Sequence, residues 1–189
     1  MLAVKHCHNN GVIHRDIKPE NIILSQEGKV TLIDFGLAKY KEEKDSDLVG
    51  TSFYMAPEMI RGDYDERCDV WSVGAVAFTI LTSFVPFGGN ERKSTFRKIM
   101  HAPICFPKSA KLSIQARDLI RRLLDKDVEN RITIEKALQH GFLAEKDETT
   151  EIKQDNNEDE VRRLPGSTRV SSEMLNELGE QSVRFSRYL

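Results

Sequence analysis

Eight consecutive residues, His14 to Asn21, carry side chains that together could support phosphoryl transfer. Asp16 offers a carboxylate that can accept the proton of an attacking hydroxyl, and Lys18 offers a cation for the charge on the transferring group. Asn21 offers an amide oxygen, which is a ligand that Mg²⁺ accepts. A polar surface turn is the simpler interpretation, and the order of the residues that follow decides against it.

The triplet Asp34-Phe35-Gly36 comes thirteen residues after Asn21. Two short runs of β-forming residues, 22–24 and 30–33, lie between them and predict two strands. Residues 25–28 separate these runs and are typical of a hairpin turn. Such a hairpin would bring Asn21 close to the triplet, as two ligands of shared metal ions require.

With Ala56-Pro57-Glu58 farther on, these motifs resemble the H-R-D, D-F-G and A-P-E signatures of eukaryotic serine/threonine protein kinases, in particular the calcium/calmodulin-dependent or calcium-dependent kinases. The resemblance covers residues 1–144. It implies a mainly α (α+β) fold, namely the large (C-terminal) lobe of a kinase with a small β-hairpin region. It also implies ATP and Mg²⁺ as cofactors, and protein substrates with serine or threonine acceptors. By this resemblance Asp16 and Lys18 are catalytic, Lys18, Glu20, Asn21 and Asp34 bind the cofactor, and Asn21 and Asp34 hold the metal.

The sequence does not contain the other motifs of a kinase nucleotide site. We find no glycine-rich loop over the phosphates, no V-A-I-K lysine, no glutamate to pair with it and no hinge for adenine. We therefore expect the small lobe to be absent. Two interpretations stay open: a truncated catalytic domain, or a non-catalytic lobe fragment that acts as a docking or regulatory module with a small-lobe or regulatory partner.

Residues 34–58 resemble the activation segment of the family. Kinases with an arginine before the catalytic aspartate, here Arg15, usually need an anion in this segment. Asp47 could supply that anion without phosphorylation, and Ser46 could supply it once phosphorylated. A solvated loop charge is the third interpretation of Asp47.

Thr51 lies where the family receives the substrate residue and would hydrogen-bond Asp16 and Lys18. In the family, a threonine here together with Lys18 points to serine or threonine as the acceptor. Glu20 could also favour a basic residue in the substrate, although simple solvation explains an exposed loop charge equally well.

Three further charged residues have structural roles in the family. Asp69 precedes an apolar run and is predicted to be the N-cap of a buried helix over residues 69–82. By resemblance, its side chain reaches the backbone of the H-R-D segment. Glu58 and Arg131 would form a buried ion pair, and removing one partner of such a pair costs ~3–5 kcal/mol.

Other patterns predict a first helix closed by residues 9–11, a short helix over 95–100, a helix over 113–125 and a final helix over 134–142. On the face that a small lobe would cover, we expect partial exposure of Ala3, Val4, Ile22, Leu24 and Ile33.

Composition narrows the class of protein. The chain has 189 residues and a net charge of −2, which predicts no general attraction to nucleic acid or to a membrane surface. Its three cysteines form no C-x-x-C pair, and His6, Cys7 and His8 are read as an ordinary helix end in preference to a metal site. No run is long and apolar enough for a membrane span, so we expect a soluble, cytoplasmic protein.

The end of the chain differs in composition. Acidic and polar residues dominate 145–170, which is predicted to be a disordered acidic linker. Residues 171–189 recover some apolar side chains and predict a weakly helical tail. An autoinhibitory tail and a disordered tail both remain open.

Overall fold

The structure, a computed structural model, describes residues 1–43 and 48–144, which form a mainly helical body with two small antiparallel sheets. The helices are α1 (Leu2–Asn9), α2 (Pro57–Arg61), α3 (Arg67–Thr82), α4 (Arg92–His101), α5 (Ile114–Leu123), α6 (Ile134–Leu138) and α7 (Gly141–Ala144). The strands are β1 (Val12–Ile13), β2 (Ile22–Leu24), β3 (Val30–Leu32) and β4 (Lys39–Tyr40), and a 3-10 helix covers Pro19–Asn21. This mixture agrees with the predicted α+β class. Ser46, Asp47, the linker 145–170 and the tail 171–189 lie outside the described residues.

The hairpin predicted between residues 22 and 33 is present. Strands β2 and β3 pair antiparallel, with Ile22 opposite Leu32. Gly28 closes the turn with a φ of 82°, in the left-handed region that glycine adopts without steric cost. Strands β1 and β4 also pair, and the sequence did not predict them because two residues are too few to show alternation.

Helix α3 forms the centre of the core, since its residues from Cys68 to Thr79 are buried on every side. Helix α5 packs against it where α3 has Gly74. A Cβ at Gly74 would lie 2.7 Å from the Cβ of Leu123, so the two helices approach at a distance that only glycine permits. The apolar run therefore predicted a buried helix correctly.

The start of α3 differs from the prediction, because the helix begins at Arg67 and Asp69 is not its N-cap. Glu66 is at the N-cap position and makes no capping hydrogen bond with its side chain, while the carboxylate of Asp65, one residue earlier, accepts the backbone N–H of Arg67 at 2.9 Å. The carboxylate of Asp69, already inside the first turn, is thus free to bind a different segment.

The single helix predicted over residues 134–142 is also wrong, because α6 and α7 are separate helices. The break falls at Gln139 and His140. The Nδ1 atom of His140 accepts the backbone N–H of Phe142 at 3.2 Å, so this side chain starts a new helix.

Exposure of Val4 is the third correction, since only 3% of this residue is accessible. Val4 points from α1 into the core with Ile17 and Val73. The other four residues follow the expectation: Ala3 is exposed, and Ile22, Leu24 and Ile33 are half-buried.

Lys126 fastens the end of α4 to the core. Its ammonium donates to the carbonyl oxygens of Lys98, at 3.2 Å, and of Ile99, and it lies 4.4 Å from the ring centroid of Phe87. Burial, and to a smaller extent the charge of Arg61, lower the pKa of Lys126 to about 8. Burial therefore outweighs the carbonyls and the ring, which favour the charged form.

None of the helices within residues 1–43 and 48–144 has the length and apolarity that a membrane span needs.

Candidate active site

Asp69 fixes the backbone of the loop that begins at His14. The carboxylate is fully buried, and its two oxygens accept the backbone N–H groups of His14, at 2.8 Å, and Arg15, at 2.9 Å. The imidazole of His8 on α1 lies 2.9 Å from the same carboxylate. One side chain thus joins α1, α3 and the loop.

His8 is a residue whose role the sequence did not indicate. It is buried, and so is Val4, four positions earlier on α1. Because positions i and i+4 share a helix face, the apolar Val4 could have indicated that His8 faces the core. The identity of its partner, 61 residues away, has no local signal.

Arg15 connects the loop to the segment after the D-F-G triplet. Its Nε donates to the carbonyl of Leu37 at 2.6 Å, and its Nη1 donates to the hydroxyl of Tyr64 at 2.9 Å. The backbone of Arg15 has a φ of 68°, a left-handed conformation that is unusual for a side chain of this size. Asp47, its expected partner, is outside the described residues.

Asp16, Lys18 and Thr51 form a closed triangle of hydrogen bonds. The ammonium of Lys18 donates to Asp16 Oδ2 at 2.6 Å and to Thr51 Oγ1 at 3.1 Å. The hydroxyl and the backbone N–H of Thr51 both donate to Asp16 Oδ1, each at 2.9 Å. The structure therefore brings together residues that are 35 positions apart in the chain.

These contacts set the charges of the triangle. Burial alone would raise the pKa of Asp16, but the hydrogen bonds from Lys18 and Thr51 outweigh burial and hold that pKa below its ordinary value. The hydrogen bond to Asp16 raises the pKa of Lys18, against the smaller opposing effect of burial. At neutral pH the pair is a carboxylate beside an ammonium.

Gly50 allows Thr51 to reach Asp16, a role that the sequence did not indicate. Its φ is 99°, and a Cβ added there would lie 2.6 Å from the carbonyl oxygen of Arg15. Any side chain would therefore push residues 50 and 51 away from the loop. The only local sign of this role in the sequence is that the glycine precedes Thr51, a predicted contact residue.

Asn21 and Asp34 flank the open end of the hairpin. The backbone N–H of Ile33 donates to the carbonyl of Asn21 at 2.9 Å, so Asp34 follows directly beside it. The amide nitrogen of Asn21 donates to the carbonyl of Asp16 at 2.9 Å, which leaves the amide oxygen for another ligand. The carboxylate of Asp34 is exposed and accepts the N–H of Gly36 at 3.2 Å.

An amide oxygen and a carboxylate are hard ligands that fit Mg²⁺, which takes its remaining ligands from water and phosphate oxygens. In the part of the chain that the structure describes, no three His, Cys, Asp or Glu side chains cluster as a metal site. The donor chemistry thus favours a cation that the protein holds with few ligands.

The D-F-G triplet is held against the loop by an aromatic contact. The ring of Phe35 meets the ring of His14 edge to face, with centroids 4.8 Å apart. His14 also lies within hydrogen-bond distance of the carbonyl of Ile33, at 3.1 Å. These contacts tie the position of Asp34 to that of Asp16.

Glu20 is exposed on the 3-10 helix, whereas Asn21 on the same helix is buried. Its charge is a minor cause of the raised pKa of Lys18, after the hydrogen bond to Asp16. Burial raises the pKa of Tyr54, and Glu20 contributes to that shift as well. Glu20 therefore lies near the triangle and the segment that contains Thr51.

Glu58 and Arg131 form a two-pronged ion pair beneath the site. Arg131 Nη1 and Nη2 donate to the two carboxylate oxygens of Glu58 at 2.5 and 2.9 Å. Arg131 also donates to the carbonyls of Asp125 and Arg67, each at 2.9 Å, and covers the ring of Trp71. The pair ties α2 to the segment before α6.

A family model described as protein kinase domain matches residues 1–143. The serine/threonine-protein kinase PEPKR2 of Arabidopsis thaliana is 40% identical over 147 residues, which cover 76% of this chain and 31% of that protein. Calcium-dependent protein kinase 4 of Plasmodium berghei is 36% identical over 149 residues, covering 75% and 28% of the two chains. Calcium-dependent protein kinase 21 of Oryza sativa subsp. japonica is 37% identical over 152 residues, covering 77% and 27%.

The chain spans less than a third of the length of these relatives. The match nevertheless includes every motif on which the resemblance rested. The chain therefore belongs to the protein kinase domain family, and its relatives include a serine/threonine-protein kinase and calcium-dependent protein kinases.

Proposed function

We propose that residues 1–144 are the large lobe of an ATP-dependent serine/threonine protein kinase. The observation that carries this proposal is the triangle of Asp16, Lys18 and Thr51 beside the ligand pair Asn21 and Asp34. A carboxylate, an ammonium and two hard oxygen ligands are the groups that phosphoryl transfer uses. The names of the relatives support the same reaction for this chain.

In the proposed reaction, the hydroxyl oxygen of a serine or threonine bonds to the γ-phosphorus of ATP, and the bond from that phosphorus to the ADP oxygen breaks. Asp16 orients the hydroxyl as a hydrogen-bond acceptor and takes its proton. Its lowered pKa supports this role because the carboxylate stays ionised at neutral pH. Lys18 stays protonated and stabilises the negative charge of the transferring group.

Asn21 and Asp34 would hold Mg²⁺, which when bound neutralises charge on the phosphate oxygens. The hydrogen bond from the Asn21 amide to the loop supports this assignment, since it orients the side chain before any cation binds. The contact between His14 and Phe35 does the same for Asp34.

The position of Glu20 supports a role in binding substrate over a role in binding cofactor. Its carboxylate is exposed and lies near Tyr54, close to the residues that would receive the acceptor. We propose that it binds a basic residue of the substrate. We also propose that Asp47 or phosphorylated Ser46 supplies an anion for Arg15. The two alternatives are tested by turnover in an intact relative. Loss of turnover in Asp47→Ala but not in Ser46→Ala would favour Asp47.

The test is phosphotransfer by the chain as given. It is incubated with Mg²⁺, γ-labelled ATP and matched serine and tyrosine peptides that contain a basic residue. Asp16→Asn is compared with Asp63→Asn, an exposed aspartate outside the site. We expect label on the serine peptide only, lost in Asp16→Asn and kept in Asp63→Asn. Equal transfer by both variants would contradict the catalytic role of Asp16.

A second candidate function is a non-catalytic docking or regulatory module. It is favoured by three exposed apolar side chains on the hairpin and the D-F-G triplet, those of Ile23, Val30 and Phe35. Such a module would transfer no label while remaining folded by circular dichroism. If the first proposal also holds, adding a partner that covers these side chains, such as a small lobe, would restore phosphotransfer.

A further inference from the structure

Positive charge is concentrated in one part of the described chain. Residues 91–124 contain nine lysines and arginines against two acidic residues, a net charge of +7. The remaining described residues contain eleven lysines and arginines against fifteen acidic residues, a net charge of −4. The small net charge of the whole chain therefore conceals a strongly basic region.

Helix α5 and the loop before it carry a compact part of this region. The guanidinium groups of Arg117 and Arg121 both lie over the ring of Phe106, 5.1 and 5.2 Å from its centroid. Arg117 also donates to the carbonyl of Ala110 at 3.1 Å, which places the loop beside α5. We call the cations of this loop and helix the basic face; they are Lys108, Lys111, Arg117, Arg121 and Arg122.

The basic face has little compensating charge of its own. Asp118 is the acidic residue within it, and Arg122, at 2.8 Å, and His140, at 2.9 Å, already bind that carboxylate. Among the described residues, no carboxylate pairs with Lys108 or Lys111, and both side chains are exposed. Several like charges held this close favour a polyanionic partner.

The chain itself supplies a suitable anion. Helix α7 packs against α5, so the described part ends at Ala144 close to the basic face. The next sixteen residues, 145–160, contain eight acidic residues and two lysines, a net charge of −6. Sixteen residues can extend to about 50 Å, whereas α5 is only about 15 Å long. The acidic segment can therefore reach the whole face.

We propose that the acidic segment, residues 145–160, docks on the basic face of its own chain. One exposed apolar side chain on α5 and one apolar residue of the acidic segment suit this docking. Ile114 is 84% exposed and lies on the stripe of α5 that also carries Arg117 and Arg121, at i, i+3 and i+7. Ile152 is the apolar residue of the acidic segment and lies at its middle. Docking would hide the basic face from acidic partners.

Carbodiimide cross-linking of the full chain tests the contact, because this reagent joins a lysine amine to a carboxylate only when the two touch. We expect cross-links from Lys108 or Lys111 to residues 145–160 in monomeric protein. They should fall several-fold between about 20 mM and about 500 mM salt, since salt screens the attraction. Lys108→Arg with Lys111→Arg keeps the charge and should remove these cross-links.

Two outcomes would overturn the proposal. One is cross-linking of residues 145–160 to Lys29 or Lys136, two lysines outside the basic face, as often as to Lys108 and Lys111. The other is cross-linking confined to dimers, which would assign the basic face to a second copy.

A matched pair of variants tests the masking independently of folding, since every change lies outside the described body. Glu158→Gln with Asp159→Asn and Glu160→Gln raises the net charge by three, as does Glu173→Gln with Glu177→Gln and Glu180→Gln. We expect the first variant alone to elute from heparin at higher salt, because it uncovers the basic face. Equal retention of the two variants would mean that only net charge matters and would refute docking.

Discussion

Replacing Glu58 by glutamine should destabilise the protein far more than its single lost charge suggests. The two side chains of the Glu58–Arg131 pair are at most 4% exposed. The Arg131 side chain cannot move into water when the carboxylate is removed, because it also donates to the carbonyls of Asp125 and Arg67. Glu58→Gln therefore leaves a buried cation without its paired carboxylate, at a cost of ~3–5 kcal/mol.

That cost is a large part of a total stability of about 5–15 kcal/mol. For a domain of about 140 residues, with an unfolding entropy of about 2.1 cal/mol/K per residue, it lowers the midpoint of thermal unfolding by about 10–17 °C. Urea unfolding followed by circular dichroism measures the free energy directly. We expect a lower urea midpoint with an unchanged m value, since the surface exposed on unfolding stays the same.

The control is Glu129→Gln. Glu129 also binds an arginine, Arg67 at 2.8 Å, but its side chain is 80% exposed. Its loss should cost at most ~1 kcal/mol because water solvates the arginine left behind. The reasoning fails if Glu58→Gln loses less than ~1 kcal/mol or if the control loses as much. Combining Glu58→Gln with Arg131→Gln should also lose less than the sum of the two single changes, because the pair is coupled.

Three further predictions concern the site and its supports. Asp69→Asn should cost at least ~2 kcal/mol in urea unfolding and increase hydrogen exchange of the two loop amides it binds, because an amide cannot accept all three donors. Gly50→Ala should cost more than Gly11→Ala. Both positions have positive φ and share a strain of ~1–3 kcal/mol, but only the first places a Cβ against the Arg15 carbonyl. The free energy of unfolding of the protein, minus that of Lys126→Met, should rise as the pH increases from about 8 to 10.5. In this range Lys126 binds a proton more often in the unfolded chain than in the folded chain, because folding lowers its pKa.

Each of these predictions has an outcome that contradicts it. Unchanged exchange of the loop amides in Asp69→Asn would show that the carboxylate does not hold the loop. Equal losses of stability in Gly50→Ala and Gly11→Ala would show that the close approach to the Arg15 carbonyl does not add to the cost. A stability difference for Lys126→Met that is flat or falls across the pH window would mean that the ammonium stays charged in the folded chain.

Local patterns predicted the elements that local physics determines. The apolar run before Leu81 predicted a buried helix because a helix without a polar face has no stable place at the surface. The hairpin followed from two β-forming runs and a turn. The first residue of α3 did not follow, since the carboxylate of Asp69 accepts backbone N–H groups of a distant loop and does not cap its own helix, which local patterns cannot show.

The site itself shows where prediction from one sequence ends. The motif residues were named from their order, but the bonds that hold them come from residues without a motif. His8 looks like an ordinary histidine until α3 presents Asp69 to it, and Gly50 looks like a loop glycine until the carbonyl of Arg15 occupies the space of its Cβ. Both contacts join segments more than thirty residues apart, so their energy depends on a fold that must already exist. Changing His8 or Gly50 should therefore disturb the position of Asp16 without touching any motif residue.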